Sequence, residues 1–418
     1  MKKFKLAVAF LLITSMALVA ACGGSGSKSG GSSPAPSQQA GGSSAPQQSQ
    51  APATSGVVKI GALLPYSGVY TSLGENLTRG LELYFDQVNW TAGGKKIELI
   101  KEDEGNDPQA ALTKLRKLVD SDKIDVLTGP VSTAVAYALR DEVDSRQIPF
   151  LVSHAGGNDL TRSRRSDFIW RSSFSSWQIG ASMGKYAYDN ISKEVFLAAA
   201  DYAFGREVSA AFKEAFEAAG GKIVGEVYPP LGSNDFASYL TEIRSKNPPA
   251  VYAFFAGSDA VRFVQQYEQY GLKGKIKLIG SGWLNAEDVR PAQGMAPVGI
   301  IATQFWDYSL DTPENKAFVE AYEKKYGERP SLESLEGYDA GRIIVEAINS
   351  LNGDVSDKRK LSEAIGKVEF ISPRGPFKFD QQTHHVIQKL YVFETYDAGG
   401  KTENRLVAEV GEFKDPGQ

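Results

Sequence analysis

Few side chains in this chain are equipped for covalent or metal chemistry. Its 418 residues contain one cysteine, Cys22, and three histidines, His154, His384 and His385. The body holds no Gly-x-Ser-x-Gly elbow, no His-Glu-x-x-His, no Walker loop and no Gly-x-Gly-x-x-Gly after a strand. The signatures of common hydrolase, zinc-protease and nucleotide sites are therefore missing. His384 and His385 are neighbours in a segment that alternates like a strand, so they point to opposite faces and make a poor metal pair. No metal, cofactor or catalytic residue is expected. What the chain does offer is a set of hydroxyls, backbone N–H groups and rings at recurrent turns. In Gly129-Pro130-Val131-Ser132-Thr133 a strand runs into a helix. The first N–H groups of that helix and the hydroxyls of Ser132 and Thr133 converge on a point suited to an anion or carboxylate. Capping of the helix by one of those hydroxyls fits equally well. Ser153-His154-Ala155-Gly156-Gly157 follows the next strand in the same way. His154 there fits three roles: ligand donor, structural hydrogen-bonder or catalytic base.

The elements that must hold these turns are legible from periodicity. Short runs rich in β-branched residues, beginning with Val57–Leu64, alternate with longer stretches of helical spacing, beginning with 74–88. Strands are expected at 97–101, 125–128, 149–153, 195–200, 223–227, 250–255, 276–280 and 299–303, with helices between them. Strands separated by helices of that length imply an α/β fold with parallel sheets and right-handed crossovers. About 360 residues beyond Gly56 suit two lobes better than one core. The stretch 168–174 is a short extended piece that starts no obvious new unit of the first lobe and reads as a crossover, and the strand series breaks again near 303–308. Three helices follow, then a returning hairpin over 377–394. In parallel α/β sheets ligands bind beyond the carboxyl ends of the strands. That rule sends Ser67 to Tyr70, Tyr202 to Phe204, Ser258 with Asp259, and Ser281-Gly282-Trp283 toward one cleft, with Phe174 and Trp177 at the crossover.

The N-terminus reads as an address. Lys2, Lys3 and Lys5 precede an apolar run that ends in Leu18-Val19-Ala20-Ala21-Cys22, too short for a comfortable membrane span. Small residues before a lone cysteine resemble the bacterial lipobox, which implies cleavage after residue 21 and lipid on Cys22. Residues 22–56 are then a tether of Gly, Ser, Pro and Gln, a composition that cannot offset its own ordering entropy and gives a reach on the order of 30 Å. The formal net charge is −4, with no basic stripe for nucleic acid. A body held to the membrane by its lipid alone is the expectation.

The ordered text of the body resembles the type I periplasmic binding proteins of the branched-chain amino acid importer class. The resemblance rests on Ile60-Gly61-Ala62-Leu63-Leu64-Pro65-Tyr66-Ser67-Gly68, then Leu73-Gly74, Gly80, Asp103 and Asp107-Pro108. It continues through Gly129 to Thr133, Pro149 to Ser153, Leu160-Thr161, Phe204-Gly205, Asp235-Phe236 and Gly337-Tyr338-Asp339-Ala340. It implies two doubly wound lobes joined by a multi-strand hinge, residues 57–175 with 306–376 and residues 176–305 with 377–418. It further implies a monomer that delivers a small molecule to the permease subunits of an ABC importer by closing on it. Phe204, Ser258 and Trp283 would then govern closure from the second lobe. In amino-acid-binding members an acidic residue in the loop matching 281–283 holds the ligand's ammonium, and a Thr in the loop matching 153–159 holds its carboxylate. Here those places carry Gly282 with Trp283, and His154 with Gly156-Gly157. An uncompensated buried ammonium costs several kcal/mol, so an amino acid needs Asp259 or Asp201 as a stand-in. An aromatic carboxylate fits better, its ring among Tyr70, Phe174, Phe204 and Trp283 and its carboxylate at Ser132, Thr133 and His154. A sensor ectodomain with the same pocket, an α/β enzyme and a tethered adhesin are the alternative readings.

Overall fold

A computed structural model describes residues 56–105 and 107–417. The leader, Cys22 and nearly all of the tether lie outside the described residues. Among the described residues fifteen strands form: β1 (Val57–Leu64), β2 (Thr91–Ala92), β3 (Lys95–Asp103), β4 (Val126–Gly129), β5 (Phe150–Val152), β6 (Ile169–Arg171), β7 (Glu194–Ala199), β8 (Lys222–Val227), β9 (Ala250–Phe254), β10 (Lys277–Ser281), β11 (Ile301–Gln304), β12 (Phe370–Ser372), β13 (Gly375–Asp380), β14 (His385–Asp397) and β15 (Thr402–Phe413). Their order is β2-β3-β1-β4-β5-β6-β14-β11-β10-β9-β7-β8, with β13 and β15 also on β14 and β12 on β13. The runs β3-β1-β4-β5-β6 and β11-β10-β9-β7-β8 are each parallel throughout. The molecule is therefore the expected α/β fold, two parallel half-sheets joined through one long strand.

The central strands β4 and β9 are buried along their length because helices cover both faces, which is why they read as largely apolar runs. Those helices start where the sequence supplies a cap. Asp107 accepts from Gln109 N ahead of Pro108, Ser175 and Gln178 form a capping box, and Ser331 with Ser334 form another.

The seam differs from the sequence-based expectation in three respects. The stretch 168–174 is not only a crossover: Ile169–Arg171 is fully buried as β6, pairs in parallel with β5, and only 172–175 cross over. Its extended character was expected, but its place in the first half-sheet was not, since three residues carry no period. The passage from the first half-sheet back to the second does not fall at residue 377. β13 still pairs inside the first half, and β14 makes the passage itself, with His385 opposite Arg171 and Tyr391–Glu394 antiparallel to β11. β15 was not anticipated; it pairs only with β14 and leaves Leu406 and Val407 exposed, so it buries no face that a sequence could advertise.

Candidate functional site

Loops from the carboxyl ends of both half-sheets meet around a small, nearly filled cavity lined by Tyr70, Leu73, Val131, His154, Gly156, Phe174, Tyr202, Phe204, Phe254, Ala256 and Trp283. Six of these are aromatic. Phe174 is the centre of the cluster, with its ring 4.5 Å from Trp283, 5.1 Å from His154 and 5.6 Å from Phe204. Phe204 in turn meets Phe254 edge-on at 4.7 Å. The offset and tilted contacts are those ring quadrupoles favour.

Backbone approach explains why glycine stands at the rim. A Cβ on Gly156 would lie 2.4 Å from Phe204 and 2.6 Å from Phe174, so any side chain there would enter the space between the rings. Gly257 has φ +53° and a Cβ there would come within 2.2 Å of the Val69 carbonyl oxygen, which lets the helix Gly257–Gln269 close on the turn Gly68–Tyr70.

The polar side of the cavity is His154. Its Nδ1 lies 2.5 Å from Glu336 Oε2, and burial draws the imidazole down to about 4, against the opposing pull of Glu333 and Asp288. Trp283 Nε1 donates to Glu333 Oε1 at 3.1 Å. Burial pushes the Glu333 carboxyl up to about 8 and that of Glu336 well above its ordinary range. The phenols of Tyr70 and Tyr202 are pushed up as well, chiefly by burial, and stay protonated donors. No side chain of the lining set is a carboxylate or a primary cation.

Of the residues singled out in the sequence, Tyr70, His154, Gly156, Phe174, Tyr202, Phe204 and Trp283 line this cavity, and the other seven do not. The helix N-terminus at Ser132 is already filled from within. Glu104 accepts from Val131 N at 2.7 Å and Ser132 N at 2.8 Å, and its carboxyl is pushed up to about 8 by burial despite those bonds. Ser132 Oγ caps the helix Thr133–Ser145 through Val135 N, and the Thr133 hydroxyl is buried without a partner. The anion cradle legible in the text thus holds an internal acid. Ser67 is exposed beside Asp103, and Ala155 is tied through its N–H to Pro130. Ser258 and Asp259 serve Arg262, Asp259 at 2.5 Å, and Asp201 pairs with Arg206 at 2.7 Å, so neither expected stand-in for an ammonium counter-charge is free. Gly282 faces a second small cavity with Asn285, Gln304 and Trp306. His384 stacks on Trp170, and His385 is bonded to Arg171 and Gln178. Among the described residues no group of three His, Cys, Asp or Glu could hold a metal ion.

Sequence reasoning missed Phe254, Leu73, Ala256 and the acids behind the wall. Glu333 and Glu336 sit three apart on the first two turns of the helix Leu332–Ser350, so they share a face. The available signal was Gly337 beside them. A Cβ there would lie 2.0 Å from the Leu77 carbonyl oxygen, which marks that face as packed, not solvated.

Two parallel half-sheets with an apolar cavity between their strand ends define a solute-binding protein of the two-lobe class. The chain belongs to the periplasmic binding protein family, whose model matches residues 57–401. It is 30% identical over 371 residues to Leu/Ile/Val-binding protein homolog 6 of Brucella melitensis, covering 87% of this chain and 94% of the relative. A solute binding protein of an ABC transporter from R. palustris, solved in complex with benzoate, is 36% identical with a TM-score of 0.81, over 85% of this chain and 97% of that one. Another, from Rhodopseudomonas palustris BisB5 and solved with 3,4-dihydroxybenzoic acid, is 32% identical with a TM-score of 0.82, over 86% and 99%. Among the described residues no helix is long and apolar enough to cross a membrane.

Proposed function

We propose that this protein is the extracytoplasmic solute-binding component of an ABC importer and that its ligand is an aromatic carboxylate. The ring would seat among Phe174, Phe204 and Trp283, with the carboxylate against His154 and the Tyr70 and Tyr202 hydroxyls. One observation carries this reading: the cavity has six aromatic residues and an imidazole on its wall and no carboxylate to meet an ammonium. An amino acid would bury its ammonium there without a counter-charge, at a cost of several kcal/mol. The benzoate and dihydroxybenzoate bound by the two relatives support the same ligand class.

Capture would proceed by hinge closure of residues 57–175 with 306–376 onto 176–305 with the chain beyond the passage in β14. Ligand binding shifts that equilibrium only by its differential affinity for the closed form, so Phe204 and Trp283 would decide closure. Delivery to permease subunits, monomeric action and lipid attachment through Cys22 complete the proposal. A thermal-shift series tests the ligand class. At a hundredfold excess over Kd a ligand stabilises the native state by about 2.7 kcal/mol, a rise of several degrees. Benzoate and hydroxybenzoates should raise the midpoint while leucine and valine leave it in place; the reverse pattern would overturn the proposal.

A further inference from the structure

We propose that Glu336 is a specificity-determining residue: it shares a proton with His154 Nδ1, keeps the imidazole as an N–H donor toward the cavity, and thereby links carboxylate capture to proton retention. The inference rests on the aromatic-carboxylate reading above.

An Nδ1 to Oε2 separation of 2.5 Å requires one proton between the two atoms. The second oxygen of Glu336 is buried with no hydrogen-bond partner. An ionised carboxylate there would leave a charged oxygen unsolvated, so the proton belongs on Glu336. With Nδ1 accepting, the remaining ring proton sits on Nε2, and His154 presents a neutral donor to the cavity it lines.

The groups facing His154 from each packed element agree. Glu333 and Glu336 come from the helix Leu332–Ser350, Asp288 from the segment after Trp283, and Tyr70 from the first-lobe turn. Arg374, the cation acting on Glu336, is committed to Asp339 at 3.0 Å and to the carbonyls of Ser172 and Ser173. Asp288 accepts from Ser72 and Glu333 from Trp283 and Ser331. Ionised, these acids would repel an anionic ligand; protonated, they allow one. Burial favours the protonated form, Glu333 being pushed up to about 8 and Glu336 well above its ordinary range.

The sign follows by linkage. Glu333, pushed up to about 8, sets the window: below that pH the free protein holds the Glu333 proton as well as the one on Glu336, and benzoate binds with little exchange. Above it the free protein has lost the Glu333 proton that the complex retains, so binding draws one from solvent and affinity falls with rising pH. A ligand that brings an ammonium would do the opposite, releasing a proton and gaining affinity as the acids ionise.

Isothermal titration of the protein with benzoate, in buffers of different ionisation enthalpy at pH 7 and pH 9, measures this exchange. The expected uptake rises from about a tenth of a proton per ligand to most of one, with affinity roughly tenfold weaker at pH 9. Glu336→Gln, whose amide N–H donates to Nδ1 in place of the carboxyl, should bind benzoate at pH 7 within about threefold of the parent, whereas Glu336→Leu loses at least tenfold. Benzoate binding with no uptake at pH 9 overturns the link to proton retention through Glu333 beside it, and undiminished binding by Glu336→Leu, or a loss in Glu336→Gln as large as in Glu336→Leu, overturns the role of Glu336. Failure of every aromatic acid to bind, with leucine binding and releasing a proton, overturns both it and the proposed function.

Discussion

His154 and His385 are both buried, both neutral, and both anchored through a ring nitrogen, yet their surroundings differ. At His385 every valence is met by the protein. Arg171 Nε donates to its Nδ1 at 3.0 Å, and its Nε2 reaches Gln178 Oε1 at 2.9 Å. Burial and the adjacent Arg171 draw it well below its ordinary range. Arg171 itself also binds the Gly157 carbonyl and Thr161 Oγ1. That network pins β6 to β14 where the two half-sheets meet. At His154 only one nitrogen is committed, the acids behind it carry an unmatched oxygen, and the ring faces a cavity. A polar group whose partners are complete holds the fold together; one left with a free valence beside a cavity is available to a solute.

The largest effect expected from breaking this contrast is at the seam. Arg171→Met leaves His385, Thr161 and the Gly157 carbonyl without their donor and should cost about 3–5 kcal/mol in urea unfolding. A loss under about 1 kcal/mol would show that the seam is held elsewhere. His154→Leu should weaken benzoate binding by about 1.5–3 kcal/mol, the worth of a hydrogen bond to a charged group, with a smaller loss of stability than at Arg171; titration calorimetry and unfolding on the same preparation separate the two. Gly156→Ala places a methyl group between Phe174 and Phe204 and should cost about 1–3 kcal/mol of affinity through overpacking. The smallest effect is at Ser132→Ala, which removes a cap worth about 1 kcal/mol of stability and leaves affinity unchanged, because Glu104 occupies that helix terminus. A tenfold loss of affinity there would restore the helix terminus as the ligand's carboxylate site.

The fold was legible where elements bury a face. Apolar runs at 57–64, 149–153, 195–200 and 276–280 announced parallel strands, and the turns after them led to six residues of the cavity wall, with Phe174 at the crossover as the seventh. It was illegible where the burying partner is remote in sequence. β6 is three residues long, and β15 leans on β14 alone. Glu104, Glu333 and Glu336 looked like the charged sides of ordinary elements, because nothing near them in the chain tells that other segments bury them. The anion cradle at Ser132 misled for the same reason: its N–H groups were correctly located, but their partner is a carboxyl 28 residues upstream.

The most direct test of the account is a structure of the protein with benzoate bound. The account predicts the ring in contact with Phe174, Phe204 and Trp283 and the carboxylate accepting a hydrogen bond from His154 Nε2. A ring seated instead in the cavity beside Gly282 and Trp306, or a carboxylate displacing Glu104 from the N–H groups of Val131 and Ser132, would contradict it.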